Sequence, residues 1–205
     1  MNAPSRSALA SPDWRYIEKP TLEDFRAEDW TLLNRQRKSF YQNRQAAHVL
    51  ELLKVSENDP TFGYKVNNYR HCLQSATLAL QAGLDEETVV VFLLHDIGFV
   101  ACPASHGDFA AALLGHYVSP RNYWMLRHHQ IFQQFHLHEY PGAQPHAREQ
   151  YRGAPHFQWT ADFVAKFDQN AIDERFDVPP LDFFRPMVER LSARAPQTPT
   201  SDEIA

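Results

Sequence analysis

The sequence predicts an all-α protein, on three observations. Apolar residues recur at helical spacing, as in Ala46, Val49, Leu50, Leu52 and Leu53. Helix-start residues stand ahead of such stretches: Thr21, Asp85 and Pro120. The one run that reads as a strand, Val89-Val90-Val91, follows Asp85, Glu86 and Glu87, and that acidic start suits a helix.

The elements follow in order. Residues 1–20 form a polar N-terminal tail in which Trp14 and Tyr16 can dock. A helical domain covers 21–192, and 193–205 form a polar C-terminal tail. Helical pattern runs from Thr21 to about Lys54, with a break expected near Phe40 or Asn43, and Asn58-Asp59-Pro60 ends it. A second helix covers Asn67 to Gly83, where glycine suits the C-terminal cap. A third runs from Asp85 to the His95-Asp96 pair, and Gly98 then turns the chain. Further helices run from His106 to Leu114 and from Pro120 through His129 toward Phe135. Residues 136–156 read as a long loop, a length that is often functional. Helix resumes from Phe157 to Asp168, Val178-Pro179-Pro180 interrupts, and a last helix covers Phe183 to Leu191. The sum is about seven or eight helices.

Composition narrows the function classes. A formal net charge of −5 carries no basic surplus for nucleic acid or an anionic membrane. No apolar stretch approaches the roughly 20 residues of a membrane span, and the N-terminus lacks a signal pattern. Cys72 and Cys102 make no disulfide framework and read as reduced thiols. The expectation is a soluble cytoplasmic protein. The 11 histidines are the compositional anomaly, and imidazole is the commonest metal ligand.

His95-Asp96 ends a wholly apolar run. Burying an imidazole and a carboxylate together costs several kcal/mol, roughly, unless a partner offsets it. A metal ion is the usual partner. Two antiparallel helices joined at Gly83 bring Asp96 back beside His71, making His71 a ligand. His106 and His116 compete for the next place. His106 is favoured because it opens a helix after a short loop and Gly107 lets the backbone approach. Either member of the His128-His129 doublet can ligate. Asp168, at a helix C-terminus, is an anion beside a negative helix end, which a cation would offset. Four histidines and two carboxylates exceed the needs of one ion and suggest two.

The order His … His-Asp … Asp resembles the HD-domain superfamily, helical metalloproteins that are mostly phosphohydrolases. The two intervening histidines resemble its binuclear branch. Asn68-Tyr69-Arg70-His71-Cys72-Leu73-Gln74-Ser75-Ala76 and Leu93-Leu94-His95-Asp96-Ile97-Gly98 are similar to segments of the diiron oxygenases that cleave organophosphonates. Met125-Leu126-Arg127-His128-His129-Gln130 and Lys166-Phe167-Asp168 are similar to segments of myo-inositol oxygenase, and this likeness places the ligand at His129. The resemblance covers roughly residues 62–190. It implies an HD-type helical bundle. It implies two metals on His71, His95, Asp96, His106, His129 and Asp168, with His95 and Asp96 central to catalysis. Tyr64 would cover the open metal position. Phe99 stands where a lysine commonly follows the motif, and Gln130, Gln133 and Gln134 stand where the phosphonate enzymes carry basic residues, which argues against a phosphonate or inositol substrate.

Histidine and carboxylate ligands without thiolate suit iron or manganese, and imidazole also suits zinc and nickel. The resemblance implies a mixed-valence Fe(II)/Fe(III) pair that uses O2 to remove hydrogen from carbon, with cleavage of a C–H, C–C, C–P or C–N bond in a small polar substrate. Arg127, Gln133 and Lys166 are candidate substrate-binding residues. The alternatives are a phosphohydrolase that makes hydroxide on two Mn, Zn or Ni ions, and a non-catalytic metal-bound sensor.

Overall fold

A computed structural model of the protein describes residues 10–197; the expectations for the two ends beyond these lie outside the described residues. Seven α-helices, one π-helical segment and several short 3-10 turns are present, and no strand occurs among the described residues. The all-α expectation holds. The chain divides into two compact units, residues 1–45 and 46–205.

The first unit holds a 3-10 turn, Leu22–Asp24, and the start of helix α1, Ala27–Val55. The helix break expected near Phe40 or Asn43 falls at Phe25-Arg26 instead. Phe25 adopts extended geometry (φ −72°, ψ 136°), and the Arg26 N–H donates to Asp29 Oδ2 at 2.8 Å, which starts α1 afresh. Nothing near Phe40 supplies a glycine or proline, so α1 runs on. Trp14 meets Phe40 edge to face at 5.9 Å, whereas Tyr16 stays exposed.

The second unit begins within α1, whose Val49, Leu50 and Leu53 are buried. Helices α2 (Asn68–Gln81) and α3 (Glu86–Leu94) form an antiparallel hairpin. Asn67 caps α2 by accepting from the Arg70 N–H, and Asp85 caps α3 by accepting from the Thr88 N–H. Gly83 takes φ +68° between them, a conformation that favours glycine. From Val89 to Leu94, α3 is wholly buried. A helix that is apolar on every side belongs inside, and α2, α5 and α7 pack against it. Each such side chain contributes about 1.5–3 kcal/mol by leaving water.

Helices α4 (His106–Leu114) and α5 (Pro120–Gln133) pack against each other. Gly107 allows this, since a Cβ there would stand 2.5 Å from the Leu126 carbonyl oxygen. The 136–156 stretch is less irregular than expected, with a 3-10 turn at Ala147–Tyr151. Helix α6 (Phe157–Phe163) passes directly into a π-helical turn, Val164–Asp168. The last helix, α7 (Leu181–Ser192), starts two positions before the expected Phe183 because Pro180 itself forms its cap. No helix among the described residues is long and apolar enough to cross a membrane.

Candidate metal centre

Five separate pieces of chain bring six side chains together. His71 comes from the first turn of α2. His95 and Asp96 leave the end of α3, where the helix frays and adjacent residues can both turn inward. His106 opens α4, His129 lies within α5, and Asp168 ends the π turn. His95, Asp96, His106, His129 and Asp168 are buried, and 11% of the His71 side chain is exposed.

The six fall into two groups that share Asp96. In the first, His71 Nε2 lies 3.1 Å from His95 Nε2 and 3.3 Å from Asp168 Oδ1, and His95 Nε2 lies 3.7 Å from the same oxygen. In the second, His106 Nε2 and His129 Nε2 are 3.1 Å apart, and Asp96 Oδ1 lies 3.0 and 3.2 Å from them. Asp96 Oδ2 turns toward the first group, 3.7 Å from His71 Nε2. One carboxylate therefore addresses both.

The imidazoles are held by their outer nitrogens. Nδ1 of His71 donates to the Ala171 carbonyl at 3.1 Å, that of His95 to Phe92 at 2.8 Å, that of His106 to Pro103 at 3.1 Å, and that of His129 to Leu126 at 2.8 Å. This turns every Nε2 inward. Two Nε2 atoms about 3 Å apart repel unless a proton or a metal cation lies between them. Two nitrogens on one ion, each about 2.1 Å from it and near a right angle, stand about that far apart. Both Asp168 oxygens are buried with no hydrogen-bond partner, a cost that an ion would remove. The cluster therefore has the donor set and geometry to hold a metal ion.

The electrostatics agree. Burial opposes a charge on His71, yet the Asp168 and Asp96 carboxylates prevail and push it up to about 9. Burial likewise works against a charge on His106, and Asp96 raises it all the same. Asp96 and Asp168 are pushed upward by burial but held far below the usual carboxylate range by the surrounding histidines. The cluster attracts positive charge.

Supports around the ligands were not readable from sequence. Asn68 Nδ2 donates to the Asp96 carbonyl at 3.0 Å. Arg70 donates to the Glu174 and Phe176 carbonyls, and Gln74 exchanges two hydrogen bonds with the Asp173 backbone. These pin the segment whose Ala171 carbonyl orients His71. The Phe163 ring stands 5.1 Å from His95 and 6.1 Å from His129, and Phe99 stands 5.7 Å from His106, so much of the wall is aromatic.

The competing histidines lie elsewhere. His116 Nδ1 pairs with the Gln197 carbonyl at 2.7 Å. His128 stacks on Trp124 at 4.0 Å and donates to the Trp124 carbonyl. The remaining sequence candidates do not join the cluster. Tyr64 is 63% exposed on the loop before α2 and makes no hydrogen bond or ring contact with the six. Arg127 is drawn to Asp108 on α4 at 3.1 Å, and Lys166 to Asp162 one turn back at 2.9 Å. Gln133 is half-buried at the last position of α5. Cys72 is buried and Cys102 half-buried, both as free thiols. No family model matches this chain, and no curated protein matches it.

Proposed function

We propose that the cluster holds two iron ions and that the protein is an oxygenase of the HD type, acting on a C–H bond of a small polar substrate. The observation that carries this reading is the sharing of Asp96 between two histidine-rich groups. His71, His95 and Asp168 would hold one ion, His106 and His129 the other, and Asp96 would bridge them. When bound, a mixed-valence Fe(II)/Fe(III) pair supplies the means to activate O2.

The chain's own residues set the conditions for that chemistry. Four backbone carbonyls orient the imidazoles, so the ligands need little reorganisation. Phe163 and Phe99 restrict water beside His95 and His106. Arg127 and Lys166 are engaged by carboxylates on their own or neighbouring helices.

Anaerobic purification followed by elemental analysis and EPR tests the reading. The expected result is two irons per chain, a mixed-valence signal, and loss of that signal on exposure to O2 with substrate. Manganese, zinc or nickel with turnover of phosphoesters would replace it with a hydrolase. Stoichiometric metal without turnover on either class would leave a metal-bound sensor.

A further inference from the structure

The stretch between α5 and α6 contains two buried polar atoms that the fold leaves unsatisfied. They are Nε2 of His136 and Nε of Arg148, and neither has a hydrogen-bond partner. Such atoms carry their desolvation penalty uncompensated until a ligand or water meets them. The Arg148 side chain is only 13% exposed. Its guanidinium lies over the Phe135 ring at 3.4 Å and 6.0 Å from the Phe157 ring. Two arginines share one carboxylate: Glu149 Oε1 forms an ion pair with Arg148 Nε at 3.6 Å, too long for a hydrogen bond, and Glu149 Oε2 accepts from Arg152 Nε at 2.6 Å.

This pair lies in register with the metal ligands. Helix α5 passes into the 3-10 turn Gln134–His136 with helical geometry at Gln133 and Gln134. His129, Gln133 and His136 therefore follow one another on one face, at i, i+4 and i+7. About 10 Å of helix separates the first from the last. Helix α5 and the two 3-10 turns that carry His136 and Arg148 pack against one another. His136 is lowered below the ordinary imidazole value by burial first and by the Arg148 charge second, while the Asp168 charge opposes them. It is thus mainly neutral at pH 7 and able to share a hydrogen bond.

We propose that Arg148 and His136, with Gln133 beside them, bind the carboxylate group of a small organic acid whose other end reaches toward Asp96. A guanidinium stacked on an aromatic ring still presents two parallel N–H groups in its plane, which match a carboxylate. Arg148 and Arg152 around Glu149 leave one net positive charge beside a neutral histidine, which balances a monoanion and leaves a phosphate dianion half-compensated. That the acid is a substrate rests on the metal reading above; the anion site itself does not.

Histidine-selective NMR of the full chain, zinc-loaded and again after chelation, tests this with sodium acetate and inorganic phosphate as probes. Acetate is expected to shift the His136 ring signals saturably in both preparations. Arg148→Met should raise the half-saturating concentration at least tenfold, with the remaining histidine signals reporting that the fold is intact. Arg148→Lys, which keeps the charge, should recover part of the loss. A His136 signal unmoved by acetate, an equal response in Arg148→Met, or a response to phosphate alone would overturn the proposal. Zinc stoichiometry is measured on the same samples. A chain that takes up no zinc yet binds acetate through Arg148 keeps the anion site and loses the metal reading.

Discussion

Asp96 and Asp168 have similar burial and opposite standing in the cluster. Asp96 faces both groups of histidines, whereas Asp168 faces only His71 and His95. Asp96→Ala should therefore release both ions, while His95→Ala and Asp168→Asn should each release the ion they hold and leave the other on His106 and His129. Elemental analysis of the three variants reads the difference. His71 supplies the pH dependence. Its value in the metal-free fold is about 9, and a protonated Nε2 has no lone pair to give. Metal affinity should rise about tenfold per pH unit toward 9 and level off above it. The metal-free fold shows the opposite trend. A histidine raised above its unfolded value of 6.5 stabilises below that value, and the contribution is lost as pH climbs through about 9. Denaturant midpoints of the chelated protein at pH 6 and pH 9.5 should fall in that order. An unchanged midpoint would remove His71 from the charge pattern described.

At the scale of elements, the approach of α4 to α5 joins His106 to His129. Gly107→Ala places a methyl 2.5 Å from the Leu126 carbonyl and 3.3 Å from the His129 ring. The helices must part, at a cost of about 1–3 kcal/mol. The ion held by His106 and His129 should be lost before the one held by His71 and His95. A variant with normal stability and both ions would show that the close approach is not required. Glu87 joins α3 to the start of α5 and to the segment just after α7. Its carboxylate accepts from the Ser119 N–H at 2.7 Å and Asn122 Nδ2 at 2.8 Å, and pairs with Arg194. Burial would raise Glu87, but those bonds hold it below the ordinary range. Its stabilisation is present above the unfolded value of 4.5 and fades as pH falls through the folded one. Glu87→Gln should cost about 1–3 kcal/mol at pH 7, and thermal unfolding at pH 3 should show a smaller gap.

The elements were legible where local chemistry decides them. Asp85 and the acidic turn mark α3 as helix despite its valines, and Gly83 marks the turn that returns Asp96 to His71. That His106 and not His116 stands beside His129 was also legible, because Gly107 signals close packing. The preference for His129 over His128 came from resemblance alone, since both are buried on one helix. Other features depend on packing that no local pattern announces. The π turn at Val164–Asp168 ends with Asp168 beside His71 and His95. The Ala171 carbonyl that orients His71 is a backbone group with no sequence signature. Arg148 reads as one more surface cation until its burial against Phe135 is seen. The ion pairs of Arg127 with Asp108 and of Lys166 with Asp162 are likewise seen only in the fold.

For the molecule as a whole, the site and the fold of the second unit are one problem. The six side chains come from α2, α3, α4, α5 and the turn after α6, so ions bound at their centre would tie five segments together. Binding free energy of this kind adds to folding free energy. Chelation should lower the unfolding temperature, and restoring metal should reverse it. The central claim is a pair of ions astride Asp96. Anomalous diffraction at the iron edge, from crystals grown without oxygen, tests it most directly. Two peaks are predicted, one among His71, His95 and Asp168 and one beside His106 and His129, with Asp96 between them. A single peak, or none within reach of Asp96, would contradict it.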